Sequence, residues 1–155
     1  MKDDEVIRNL KDVLSVVLAS ANDPSKHFSE FMGPEMKSRY YQRPVHRSLL
    51  EVPGSLETFL TSATGDGISD HYYWYCLIDE EPPANLQGKL KAKYEAICNE
   101  LRSIYANADA GYEFDNEHYF KMTMNENVSI DVSYFYSEGY KDLLTLTVIA
   151  EKHYL

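Results

Sequence analysis

The spacing of apolar residues changes along this chain, from a repeat of about 3.6 residues to a repeat of about two. Asp4 to Ala21 and Ala84 to Ala106 carry apolar stripes at the spacing of amphipathic helices. His118 to Met124, Val128 to Tyr136 and Lys141 to Glu151 instead alternate apolar and polar residues, as half-buried strands do. The sequence therefore predicts an α+β fold, in which helices pack on one face of an antiparallel sheet that ends in a three-stranded C-terminal meander.

The alternation in the last three runs also assigns the two faces of the predicted meander. The face predicted to be buried against the helices carries Phe120, Met122, Met124, Val128, Ile130, Val132, Tyr134, Leu144, Leu146, Val148 and Ala150. The opposite face carries Lys121, Thr123, Ser129, Asp131, Ser133, Thr145, Thr147 and Glu151. The sheet is therefore expected to have one apolar side and one polar side.

Prolines and glycines interrupt the segment between Pro24 and Gly67, so only short helical turns or brief strands fit there. Two pieces are predicted, one from Pro34 to Tyr41 and one from Ser55 to Ser62, with Ser55 as the cap of the second. The residues expected to be buried in the second piece are Leu56, Phe59 and Leu60.

The run from His71 to Ile78 is dense in aromatic residues and is predicted to be a strand. A continuous run of this kind is equally compatible with a buried helix, because periodicity alone does not separate the two. With a strand here, the order of elements resembles the cone-shaped fold of nuclear transport factor 2 (NTF2-like). That resemblance implies a cone-shaped arrangement of the helices and the sheet but settles no function.

Length and composition are those of one ordinary domain, so residues 1–155 are predicted to form a single α+β domain. No apolar run approaches the roughly 18 residues that a membrane-spanning helix needs. The chain starts with acidic residues where a secretory signal would be basic, so the cytoplasm is the expected compartment. Cys76 and Cys98, the two cysteines, are then better interpreted as buried free thiols than as a disulfide.

Negative charge is concentrated between Arg102 and Lys141, where seven acids face a single base, Lys121. Their difference, 1 − 7 = −6, is more than half of the chain's net charge of −10. The same stretch holds six tyrosines, which are rigid side chains that protein interfaces favour. A surface of this composition suits a basic protein partner, and Asp79, Glu80 and Glu81 form a second candidate patch.

Nucleic acid and calcium are poorer candidates for the partner of this acidic region. Nucleic acid binding needs a cationic footprint, and this chain has a pI near 4.9. A twelve-residue calcium loop that starts at Asn107 would place Tyr112 where glycine is required and His118 where glutamate is required. The sequence therefore predicts neither a metal nor a cofactor, and we expect no nucleic acid and no membrane among the partners.

No catalytic motif of the common hydrolase, protease, nucleotide-binding or kinase classes is present, so the chain is not expected to be an enzyme. The five histidines never lie four residues apart, which excludes a helical pair of metal ligands. A site assembled from distant positions would use His71, His118 and Asp131, although histidines in aromatic strands are more often structural.

In being small, acidic, rich in tyrosine and without a catalytic motif, the chain resembles the immunity proteins that protect bacteria from their own secreted polymorphic toxins. The resemblance implies a protein that binds and neutralises a toxin domain with a basic surface. Residues expected on the contact surface, from their charge and aromatic character, are Asp109, Tyr112, Glu113, Asp115, Glu117, Tyr119, Glu126 and Asp131. Two alternatives remain: a small acidic secretion chaperone, and a small-molecule binding or enzymatic domain of the cone-shaped fold.

Overall fold

A computed structural model describes residues 3–23, 25–64, 70–82, 89–105, 113–115, 119–136 and 144–154, in which two α-helices accompany one antiparallel sheet. The helices are α1 (Asp3–Ala21) and α2 (Lys89–Ile104). The strands of the first half are β1 (Met32–Met36), β2 (Val45–Ser48), β3 (Glu57–Thr64) and β4 (Asp70–Glu81). Those of the second half are β5 (Glu113–Asp115), β6 (Tyr119–Thr123), β7 (Val128–Tyr136) and β8 (Leu144–Tyr154).

Within the described residues the sheet has the strand order β1-β2-β3-β4-β8-β7-β6-β5. Each half of the chain forms an antiparallel meander of consecutive strands, and the two halves join where β4 pairs with β8. This pairing runs from Asp70 opposite Tyr154 to Glu81 opposite Leu144. The predicted C-terminal meander is confirmed as β6, β7 and β8, and the run from His71 to Ile78 is confirmed as part of a strand.

The main core lies between the two helices and one face of the sheet. Alternate residues of the long central strands project into it, as the periodicity predicts. Fully or almost fully buried members include Leu10, Leu14 and Val17 of α1, Leu90, Ile97 and Leu101 of α2, and Trp74, Ile130, Leu146 and Val148 of the sheet. Burial of each such side chain contributes roughly 1.5–3 kcal/mol, so this face carries most of the hydrophobic stabilisation.

Two charged residues of the sheet form polar contacts with α2 and with the chain that follows α1. A shift in the β4–β8 register between Leu77 and Asp79 puts Asp79 opposite Leu146, on the helix side, where its carboxylate forms an ion pair with Lys93 of α2. Lys152 of β8 is buried and donates hydrogen bonds to the backbone carbonyls of Asp23 and Lys26, just after α1. Because a buried ammonium group needs such acceptors, Lys152 fixes the path of the chain that leaves α1.

Three details expected from the sequence need correction. The segment from Ser55 to Ser62 extends into strand β3 and contains no helix, and Leu56 is 43% exposed although Phe59 and Leu60 are buried as predicted. Ile104, assigned to the buried stripe of α2, is 37% exposed because it is the last residue of the helix, one turn beyond the buried Leu101.

The third correction concerns the polar side of the sheet, where Ser129, Thr145 and Thr147 are buried. They lie in central strands, where small side chains are screened by longer neighbours on both sides. One further expectation agrees with the structure: Cys76 and Cys98 are both buried thiols that form no disulfide. Burial raises the pKa of the Cys76 thiol to about 12. Neither α1 nor α2 is long and apolar enough to cross a membrane.

Candidate functional site

The face of the sheet opposite the helices divides into an apolar part and a polar part. The apolar part is a second, smaller core formed by Tyr40, Tyr41, Val45, Phe59 and Leu77. Here the chain between β1 and β2 folds across the outside of β3 and β4. The Tyr41 ring lies 5.6 Å from both the Phe59 and the Tyr75 ring, and Phe59 stacks on Tyr75 at 4.9 Å.

Glu80 anchors this covering segment. The Tyr40 hydroxyl donates a 2.9 Å hydrogen bond to the Glu80 carboxylate, and Arg39 approaches the other carboxylate oxygen at 3.7 Å. Burial, reinforced by the hydrogen bond with Glu80, raises the pKa of Tyr40 to about 12. Glu80 and Asp79, predicted as part of an exposed acidic patch, therefore have partners inside the protein, and Glu81 is buried.

The polar part lies over β4, β8 and β7, and we call the group His71, Tyr73, Glu151, His153 and Asp131 the polar face. The register of the paired strands β4 and β8 places four of these residues side by side: His71 is opposite His153, and Tyr73 is opposite Glu151. Asp131 lies on β7 opposite Ile149, which is two residues before Glu151 on β8. Because residues two apart on a strand share a face, these side chains occupy one continuous surface that no described helix covers.

Two histidines approach one carboxylate at the end of this surface. The Nδ1 atom of His71 lies 2.8 Å from Oε1 of Glu151, and the Nδ1 atom of His153 lies 3.9 Å from the same oxygen. The two imidazole rings stack with their centroids 5.7 Å apart. Burial, with a smaller effect of Glu151, raises the pKa of the neighbouring Tyr73 hydroxyl.

Asp131 is held on the same face in an environment that disfavours its charge. Burial raises the pKa of its carboxyl to about 6; Lys121, its partner in register on β6, acts in the opposite direction, and Glu151 raises the pKa further. A hydrogen bond from Tyr119 lowers it. Within the described part of the chain, Oδ1 of Asp131 is buried without a hydrogen-bond partner. A cationic group bound beside this carboxyl would stabilise its charged form.

The structure distributes the predicted contact residues over three places. Tyr119 and Asp131 lie in adjacent strands, and Tyr119 donates its hydrogen bond to Asp131. Glu126 is exposed in the turn between β6 and β7; that turn reaches the end of the sheet that carries His153, because the His153 amide donates to the carbonyl of Asn127.

The remaining predicted residues follow α2 in the sequence. Glu113 and Asp115 form part of β5, one of the two edge strands among the described residues, and pair in register with Met122 and Phe120. Asp109, Tyr112 and Glu117 lie outside the described residues. The described members of the predicted set thus lie in β5, β6, β7 and the turn between β6 and β7.

The hypothesis of a site assembled from distant positions names His71, His118 and Asp131. His71 and Asp131 do share the polar face, whereas His118 lies outside the described residues. Sequence reasoning did not connect Glu151 and His153 with His71. Their spacing, two apart in an alternating strand, is a signal that they share a face, but only the pairing of β8 with β4 brings His71 beside them.

No family model matches this sequence, and neither a curated protein nor a solved structure matches it. Functional inference therefore depends on the geometry of the polar face. Its residues are held by paired strands, and they include aromatic rings and a buried carboxylate oxygen that lacks a hydrogen-bond partner among the described residues. They form a rigid surface that can accept cationic groups.

Proposed function

We propose that this protein is an immunity protein, which binds a basic bacterial toxin domain through the polar face and thereby neutralises it. The observation that carries the proposal is the strand register that sets Asp131, Glu151 and Tyr73 on one surface outside the helical layer. Carboxylates of this kind accept arginine or lysine side chains, and tyrosine rings supply contact area at low entropic cost.

Three properties of the protein support this function. Its net charge of −10 favours encounter with a basic partner. Burial raises the pKa of the Asp131 carboxyl, so a cationic group bound beside it would stabilise its charged form. Paired strands on both sides of β8 hold the acceptors in place before binding, which lowers the entropic cost of association.

The test uses a secreted-toxin domain encoded beside this gene in its host. We expect this toxin domain to arrest growth when it is produced alone, and co-expression of the protein to restore growth. Calorimetric titration of the purified pair should show a 1:1 complex whose affinity falls with added salt, as charge-steered association requires.

A charge-matched pair of double variants locates the surface. Asp131→Asn with Glu126→Gln should weaken binding at least about tenfold and flatten its salt dependence, because both remove negative charge at the polar face or its border. Asp12→Asn with Glu95→Gln changes net charge equally on exposed helix positions and should leave affinity nearly unchanged. Equal effects of the two double variants would contradict binding at the polar face.

The acidic loop predicted from the sequence provides an alternative contact surface. Reversal of Asp109, Glu113, Asp115 and Glu117 to lysine separates the two surfaces: if it alone abolishes binding, the partner contacts the β5 edge instead. A secretion chaperone would bind an unfolded export substrate and give no protection from a folded toxin domain. A small-molecule enzyme would give neither result, so the same experiments distinguish all three functions.

A further inference from the structure

We propose that His71, Glu151 and His153 form a binding site for a divalent transition-metal ion of the zinc class. One ligand atom of each residue can be chosen so that all three lie within 4.8 Å of one another. The sequence alone does not indicate this set of three ligands, because His71 is contributed by β4 and the other two residues by β8. The proposal goes beyond the toxin-binding function and does not depend on it.

The donor set suits such an ion. Two imidazoles and one carboxylate are the three protein ligands of many zinc sites that keep an open position, and they also form the facial triad of non-haem iron sites. Calcium and magnesium prefer oxygen donors alone, so they fit this cluster less well. The site therefore selects for Zn²⁺, Co²⁺ or Fe²⁺ over the alkaline-earth ions.

The distances agree with coordination after small side-chain movements. Bonds of about 2.1 Å to a tetrahedral ion separate ligand atoms by about 3.4 Å. The observed separations from Oε1 of Glu151 are 2.8 Å to His71 and 3.9 Å to His153, which bracket that value. The shorter contact also matches a simple histidine–glutamate hydrogen bond, which is the competing interpretation of the cluster.

His153 distinguishes the metal site from the simple hydrogen bond. Its Nδ1 atom is buried, yet within the described residues it has no hydrogen-bond partner, and its 3.9 Å separation from Glu151 is too long for one. A hydrogen-bonded pair of His71 and Glu151 leaves this nitrogen unused. A metal ion between the three side chains would engage it, because a neutral imidazole nitrogen is a ligand that zinc-class ions prefer.

Access to the site is open enough for an ion to enter and to keep exchangeable ligands. The side chains of His71, His153 and Glu151 are 31%, 26% and 13% exposed. Their backbones lie in the paired strands β4 and β8, with His71 and His153 directly opposite. Three protein ligands on a rigid, partly exposed support would leave one or more coordination positions for water or for a partner's side chain.

The decisive experiment titrates tag-free, chelator-treated protein with Co²⁺ and then with Zn²⁺. We expect one equivalent of Co²⁺ to produce visible absorption bands that Zn²⁺ abolishes, and Zn²⁺ to raise the melting temperature, because a ligand that binds only the folded state stabilises it. Absence of saturable Co²⁺ binding, or more than one equivalent with no defined absorption, would overturn the proposal.

Variants assign the ligands. His153→Ala and Glu151→Gln should each weaken Zn²⁺ affinity by more than about tenfold, because loss of a direct ligand costs at least as much as loss of its supporting contacts. His46→Ala serves as the matched control, since His46 is also a partly exposed strand histidine but contacts the carbonyl of Gly33 instead. Circular dichroism checks that each variant is folded, and His71→Ala replaces any variant that is not.

Unchanged affinity in two folded ligand variants would overturn the proposal. Toxin protection is measured separately: loss of metal binding with retained protection leaves the immunity function intact, and loss of protection in Asp131→Asn with Glu126→Gln leaves the metal site intact. The two proposals therefore fail by different measurements.

Discussion

The two faces of the same sheet differ in what their residues achieve. On the helix side, Trp74, Ile130 and Val148 are fully buried in one apolar core. On the other side, the alternate residues Tyr73, Asp131 and Glu151 remain partly exposed, and the charge of Asp131 is poorly compensated. Successive residues of a strand thus point to opposite faces of the sheet. Those on the helix side stabilise the fold, and those on the other side can be selected for contacts with a partner or ligand.

The largest expected contrast is between Trp74 and Tyr73, adjacent aromatic residues on opposite faces. Trp74→Ala should lower the free energy of unfolding by about 3–5 kcal/mol, because it leaves a cavity in the main core. Tyr73→Ala should cost less than half as much, since its ring is partly exposed on the polar face. Urea denaturation monitored by circular dichroism measures both, and equal costs would break the distinction between the faces.

Substitution of Asp131 is expected to have an intermediate effect of opposite sign, an increase in the free energy of unfolding. Asp131→Asn should raise the free energy of unfolding by about 1–3 kcal/mol near pH 7, because it removes a charge that burial disfavours. Since burial raises the pKa of Asp131 from 3.8 to about 6, the native state holds this proton more tightly than the unfolded state. The native stability due to this group therefore declines as pH rises through that window.

The advantage of the Asp131→Asn variant should accordingly be complete above about pH 6 and disappear below about pH 4. Denaturation of variant and parent protein across this pH range measures the difference directly. Glu126→Gln, which removes an exposed charge, is the control and should change stability by less than about 0.5 kcal/mol. A destabilising effect of Asp131→Asn at neutral pH would mean that the carboxylate is satisfied within the protein.

The smallest expected effect sharpens the boundary of the helix-side core. Ile104→Ala should change the free energy of unfolding by less than about 1 kcal/mol, because this side chain in the last turn of α2 is already partly exposed. Leu101→Ala, one turn earlier and buried, should cost about 2–5 kcal/mol. Thermal denaturation of the two variants is sufficient, and similar losses would place Ile104 in the core after all.

How much of the fold the sequence predicts depends on whether the interacting residues lie close together or far apart in the sequence. Local patterns identify α1, the central part of α2 and the three C-terminal strands, because the residues that share a face lie close in sequence. For the piece from Ser55 to Ser62 the sequence leaves a helical turn or a brief strand open, and pairing with β4 makes the part from Glu57 onward a strand. Strand pairing overrides local propensity in such cases.

Part of the candidate site was equally accessible from the sequence. Alternation assigns Asp131 and Glu151 correctly to the face opposite the helices, and the search for distant histidines names His71. The alternation within one strand does not show which strands are neighbours. Sequence reasoning therefore does not indicate His153 and predicts the contact surface mainly in the acidic loop. The raised pKa of Asp131 also depends on burial, which a polar position in an alternating strand does not reveal.

The sequence by itself determined the class of the fold, the two amphipathic helices, the faces of the C-terminal strands and the strongly acidic character of the chain. Only the tertiary structure decided that β8 pairs with β4, and with it that His71 meets Glu151, 80 positions away in the sequence, and lies opposite His153. The physical reason is that side-chain alternation is a property of a single strand, whereas strand order is fixed by how the whole apolar surface is buried between sheet and helices.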